Sequence, residues 1–335
     1  MKINFFRGRL KSNISRRGIR TEESDKKSVV IVTKLLQYIN ATNIYMGKSR
    51  ILIVVDSFFR AKEYCQKFRD SGEWEQVVFV PSRLQAYKWI LKHRIQLTDL
   101  YTDSDYGISI LFFHLYLIRI KIHVYEEGIG TYFSRIERTK RTITSTLSDF
   151  LYLMMLNRRQ IGGNFRTSEL IVYQEKYYQK YVKHRKQLKV SAFVERFIFH
   201  FEKVYSKISL SQDIKKLEII NNSDVILYIT NWEIEELNIL EHYDYMVVKP
   251  HPHIKNYSTL FSSNVIVIPP DVPAEMIIIY LLKNNNCLTI ISSYSTATLY
   301  FRNEERIKYV DIKNHITNRK VNMYRSILSF FEKNS

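Results

Sequence analysis

Short β-branched runs that alternate with helical stretches constrain this chain more than any other feature of its sequence. Residues 29–32, 51–55, 77–80 and 120–125 each read as a strand. Thr33 to Gln37 opens a helix after the first, 58–69 reads as a helix capped by Asp56 or Ser57, and 84–93 has helical periodicity. A second series begins at 225–230 and continues with strands at 245–248, 265–268, 288–291 and 308–310. Its helices fall over 233–241, 274–283, 296–301 and 322–332. Strands separated by helices pair in parallel through crossovers, so each series predicts a Rossmann-like unit. The expected fold is α/β, with two such domains facing a central cleft. A basic leader covers 1–27 and a first domain 28–215, whose Tyr-rich end from 173 onward reads as a partly helical connector. The second domain covers 216–335.

Composition narrows the class. The chain has 335 residues, enough for two cores, and 9 Gly with 6 Pro leave no room for a long flexible linker. Cys65 and Cys287 are too few for a disulfide framework and read as packing residues in a reducing compartment. A net charge of +18 attracts phosphate groups in nucleic acid, an anionic membrane or a nucleotide-linked substrate, without choosing among them. The 24 Tyr and 19 Phe do not interleave with the cations as an RNA-binding signature, so no nucleic-acid partner is expected. The apolar stretch 106–125 is broken by His114, Arg119, Lys121 and His123. A central charge in a membrane span costs roughly 2.5–3.5 kcal/mol, so this stretch reads as buried helix and strand.

Three predicted strand ends carry chemistry. After 120–125 come Glu126, Glu127 and Gly128. Adjacent residues of an extended chain point opposite ways, so one carboxylate faces the cleft as a candidate general base and the other supports the loop. After 245–248 come Lys249, Pro250, His251 and Pro252, where the two prolines forbid continuation and fix the His at the strand end. Its imidazole could stabilise a departing phosphate, with Lys249 adding charge. After 288–291 the hydroxyls of Ser292, Ser293, Ser295 and Thr296 could meet a phosphate or simply cap a helix. Glu275, just after Pro273, is either a first-turn acid or an acceptor for ribose hydroxyls. No P-loop, dinucleotide fingerprint or zinc-ligand spacing occurs.

Taken in order, Glu126-Glu127-Gly128, His251-Pro252 and Ser292-Ser293 resemble the motifs of bacterial sialyltransferases. The opening Thr33 to Gln37 is similar to that of glycosyltransferase family 52 and the bacterial polysialyltransferases. The resemblance implies a GT-B fold and inverting, metal-independent transfer of sialic acid from CMP-sialic acid to a glycan of capsule or lipooligosaccharide type, with no cofactor. It gives the base role to Glu126 or Glu127, with Glu233, after the first strand of the second domain, as the competing base. His251 then serves the leaving phosphate, the serine loop and Glu275 hold the nucleotide, and Thr33, Gln37 and Gly128 lie on the substrate side of the first domain.

Two other readings stand beside it. A transferase of Kdo or of a CDP-polyol would also release CMP. A non-catalytic basic protein would use the +18 charge alone. The enzyme reading places the chain in the cytoplasm, peripheral on the inner membrane face, with a nucleotide-sugar donor and a glycan acceptor as partners.

Overall fold

The computed structural model describes residues 27–47, 49–133, 160–182, 187–208, 213–220, 223–230, 243–251, 265–284, 287–292, 295–302 and 304–311. They form two parallel sheets, so the α/β class and the two Rossmann-like units read from the sequence are what is found. The first sheet holds β1 (Lys27–Val32), β2 (Arg50–Val55), β3 (Gln76–Val80), β4 (Leu97–Thr102), β5 (Lys121–Tyr125), β6 (Thr167–Val172) and β7 (Lys189–Ala192) in the order β3-β2-β1-β4-β5-β6-β7. The second holds β8 (Val225–Ile229), β9 (Tyr245–Lys249), β10 (Val265–Val267), β11 (Leu288–Ser292) and β12 (Ile307–Asp311) in the order β10-β9-β8-β11-β12. In both, the order reverses beside the first strand, and a crevice opens at the carboxyl ends on each side of such a reversal.

The strands are apolar on both faces because helices cover both. Val29 to Val32 and Ile51 to Val55 are buried throughout, as a parallel sheet requires. The helices are α1 (Leu35–Thr42), α2 (Ala61–Asp70), α3 (Arg83–His93), α4 (Ile108–Tyr116), α5 (Glu175–Tyr181), α6 (Phe197–Ile208), α7 (Ala274–Asn284) and α8 (Thr296–Tyr300). Helix α6 packs against α1 and α2. One apolar cluster runs from Val30 and Leu52 through Phe197, Phe201 and Tyr205 to Leu227, Ile277 and Ile290, so the two sheets share a core.

Three strands depart from the sequence reading. β4 and β6 carry Thr98, Asp99, Ser168 and Glu169 among their apolar residues, and β7 is a four-residue edge strand inside the expected connector. Asp99 and Glu169 are accommodated because both grip His123 on the intervening strand, at 2.9 and 2.8 Å. Neither Asp56 nor Ser57 caps α2; Arg60 stands at that position in a left-handed conformation, and the Ser57 hydroxyl instead donates to the Thr33 carbonyl at 2.8 Å. Cys65 is buried as expected, whereas Cys287, also read as a packing residue, is exposed. The expected helices at 233–241 and 322–332 lie outside the described residues. Among the described residues no helix is long and apolar enough to cross a membrane.

Candidate functional site

A cavity of about 200 Å³ opens where the carboxyl ends of the two sheets meet. The first sheet supplies the loop after β1, with Lys34, Leu35 and Leu36, the loop after β2, with Phe58 and Phe59, and Glu127 after β5. The second supplies Thr230 after β8, Lys249 at the end of β9 and His251 after it, Asp271 and Glu275 around the start of α7, and Ser295 and Thr296 after β11. Both reversals of strand order therefore contribute to one site.

The adjacent carboxylates divide as extended geometry requires. Glu126 is fully buried and turned away from the cavity. Its carboxylate accepts from the hydroxyls of Tyr132 and Tyr300 and from the backbone N–H of Tyr173 at 2.9 Å. Burial still pushes its pKa up to about 7, against the three hydrogen bonds that favour the charged form. Glu127 points the other way, into the cavity, where Lys34 Nζ lies 2.9 Å from its carboxylate. Burial lowers the Lys34 pKa, but Glu127 outweighs it and the net shift is upward. The cleft-facing acid thus has a permanent cation beside it.

Lys34 was not legible as a site residue, and Thr33 and Gln37 explain how it is placed. Neither of those two lines the cavity; both are buried beneath it. Gln37 Oε1 accepts from the Thr33 hydroxyl at 2.7 Å, and its Nε2 donates to Asp103 at 2.6 Å. Arg83 closes the network on the same Asp103 oxygen at 2.6 Å. Thr33 and Gln37, expected on the substrate side, do not face the cavity, and their polar atoms are engaged with one another and with Asp103.

On the facing sheet, the His251 backbone N–H donates to the Thr230 hydroxyl at 3.2 Å, which ties the Pro-His turn to the neighbouring strand end. Lys249 is buried, and its ammonium donates to the carbonyls of Pro250 and Pro270. Burial pushes Lys249 down and Glu275 up, each to about 7, and each is the other's opposing charge. Asp271 was not foreseen. It accepts from Tyr64 at 3.3 Å and lies 3.7 Å from Arg60 through one oxygen. Its other oxygen, Oδ1, is buried without a hydrogen-bond partner. A buried orphan acceptor is costly, and a ligand hydroxyl or amine in the cavity would satisfy it.

The serine loop splits. Ser295 caps α8, accepting from the Ala297 N–H at 3.2 Å, and lines the cavity with Thr296, whereas Ser292 is buried at the end of β11 and does not. Pro252, Ser293 and Glu233 lie outside the described residues. Gly128 packs closely against the second half rather than forming a wall of the cavity. Its φ of 137° is open to glycine only, and a Cβ there would sit 2.4 Å from Thr296 Oγ1. That same hydroxyl oxygen accepts from the Ile129 N–H at 3.2 Å. Gly128→Ala should therefore cost about 2–3 kcal/mol from backbone strain and the clash. Thermal unfolding of the single variant and of Gly128→Ala with Thr296→Ala checks it: the second change should restore part of the loss.

Among the described residues no group of three or more His, Cys, Asp or Glu comes together as a metal site. No family model matches the chain, and no curated protein matches it. Among solved structures, a UDP-N-acetylglucosamine 2-epimerase from Rickettsia bellii aligns over 91% of this chain and 88% of its own, with a TM-score of 0.47 and 11% identity. A likeness of that size decides nothing about activity, which rests on the cavity itself.

Proposed function

We propose that this chain is a glycosyltransferase that takes its sugar from a nucleotide sugar, and that the donor is CMP-sialic acid. The observation that carries the reading is one cavity lined by Glu127 from one sheet and by His251, Ser295 and Thr296 from the other. A transferase needs a base on the acceptor side and proton donors on the phosphate side of the bond that breaks, and these residue types face each other across the cleft.

The steps follow from the chemistry of each group. The Glu127 carboxylate takes the proton of the acceptor hydroxyl, whose oxygen attacks the anomeric carbon from the face opposite the nucleotide. The bond from that carbon to the phosphate oxygen breaks, inverting the centre and releasing CMP. His251 donates a proton or hydrogen bond to the departing phosphate. The Ser295 and Thr296 oxygens already accept from backbone N–H groups, so each hydroxyl hydrogen is available as a donor. Asp271 Oδ1 and Glu275 are acceptors for the ribose hydroxyls or the exocyclic amine of cytosine. Lys34 stands beside Glu127 as its counter-ion, 2.9 Å away.

The test is CMP release from CMP-sialic acid in the presence of EDTA. Wild type should turn over, and His251→Ala should lose about a hundredfold, the cost of removing one donor to developing charge. A thermal shift with CMP but no release from this donor would keep the nucleotide pocket and move the sugar to another CMP-linked donor. No turnover and no shift with CMP or CDP would overturn the nucleotide-sugar reading.

A further inference from the structure

The amino edge of the first sheet, opposite the cavity, exposes apolar side chains from neighbouring loops. Ile95, 95% exposed, precedes β4; Ile118, 75% exposed, precedes β5; Phe165, 39% exposed, precedes β6. Phe112 and Tyr116, 47% and 73% exposed, are four residues apart on α4 and so share the face that leads into Ile118. β4, β5 and β6 are adjacent in the sheet, and adjacent strands lie about 5 Å apart, so these residues belong to one patch.

The patch is held outward. Arg166 donates to the carbonyls of Leu117 and Ile118 at 3.0 Å each, which fixes the loop that carries Ile118. The loops that carry it hold charge of one sign. Residues 83–98, 106–125 and 160–168 contain no Asp or Glu. Arg94, Arg119 and Lys121 are exposed there and form no ion pair with any described residue. Of the nearby acids, Asp99 and Glu169 are both bound to His123, and Glu75 is paired with Lys27.

We propose that this edge docks onto an anionic lipid bilayer, with the apolar tips entering the interface and the flanking cations meeting the headgroups. Aliphatic and aromatic side chains ringed by cations fit that solvent boundary. A second copy of the same face would set Arg94, Arg119 and Lys121 against themselves. Nucleic acid would match the cations but leave Ile95 and Ile118 in water. Docked this way, the cavity faces away from the bilayer, about 20 Å off at one strand length, where the distal end of a lipid-anchored glycan would reach it. The surface itself follows from the exposed residues and not from the proposed reaction.

Co-sedimentation of the full chain with vesicles of phosphatidylcholine alone, and with phosphatidylglycerol added, tests it. Wild type should bind the anionic vesicles and release as salt is raised. Ile95→Asp with Ile118→Asp should weaken that binding about tenfold or more at an unchanged melting temperature. Ile118→Trp should gain blue-shifted emission over wild type when vesicles are added. No binding by wild type, or undiminished binding by the double Asp variant, would overturn the proposal; the second result would pass the contact to another part of the chain. A concentration-dependent dimer that the double variant abolishes would also overturn it, in favour of self-association.

Discussion

Glu127→Gln should lower transfer about 10³-fold while hardly moving the melting temperature. The amide keeps the shape of the side chain but cannot take a proton from the acceptor hydroxyl. Its stability cost is small because the ion pair it breaks is partly exposed, at 31% for Lys34 and 33% for Glu127. Such pairs contribute about 0–1 kcal/mol. Initial rates of CMP release with saturating and limiting acceptor separate binding from chemistry: kcat and kcat/KM should fall together. An undiminished rate would remove Glu127 from the base role, and Glu233 would be the next residue to vary.

Glu126→Ala should do the reverse and damage the fold first. Truncation leaves two tyrosine hydroxyls and the Tyr173 N–H facing a buried void where a carboxylate stood. Breaking a buried polar cluster from one side costs about 3–5 kcal/mol, which lowers the melting temperature by about 4–7 °C in a chain of this size. Calorimetry on purified protein reads it, and a shift of only a degree or two would show that the tyrosines find other partners. The pH dependence gives an independent check. The folded pKa of Glu126 is raised from 4.5 to about 7. Between those values the folded chain holds a proton that the unfolded chain has released, so this group makes stability fall as pH rises through that window and level off above it. The full effect is about 3 kcal/mol. Glu126→Gln cannot titrate, so its stability should change less than that of wild type between pH 5 and pH 7.5.

These two neighbours also show what a sequence of this kind discloses. Adjacent acids at a strand end announce a loop with one carboxylate in the cleft, but their roles depend on which way the last strand residue faces. Tyr125 settles that by burying its ring and donating its hydroxyl to the Ile31 carbonyl at 2.6 Å. The strands β1, β2, β8 and β11 were legible because both their faces are buried and their sequences are largely apolar. β4, β6 and β7 were not, because Asp99 and Glu169 are satisfied by a histidine from another strand and β7 has only one neighbour. His251 and the serine loop stood out because prolines and hydroxyls punctuate a strand end. Lys34 and Asp271 did not. One is an ordinary lysine until Glu127 comes within 2.9 Å of it. The other is an ordinary loop acid until Tyr64 and Arg60 arrive from the far half of the chain.

The five-residue helix α8 has a consequence for how such a protein can change. Its first residue closes on Gly128 and Ile129, and its last lays a ring on Phe197 at 3.5 Å and a hydroxyl on Glu126. The segment that lines the cavity with hydroxyls is therefore also a structural member of the opposite half. A second half borrowed from a protein with a different donor would arrive without the threonine and tyrosine that the first half is shaped to receive. The two halves of this molecule are not interchangeable cassettes, and new specificity is accessible here through single replacements around the cavity rather than through recombination between its sheets.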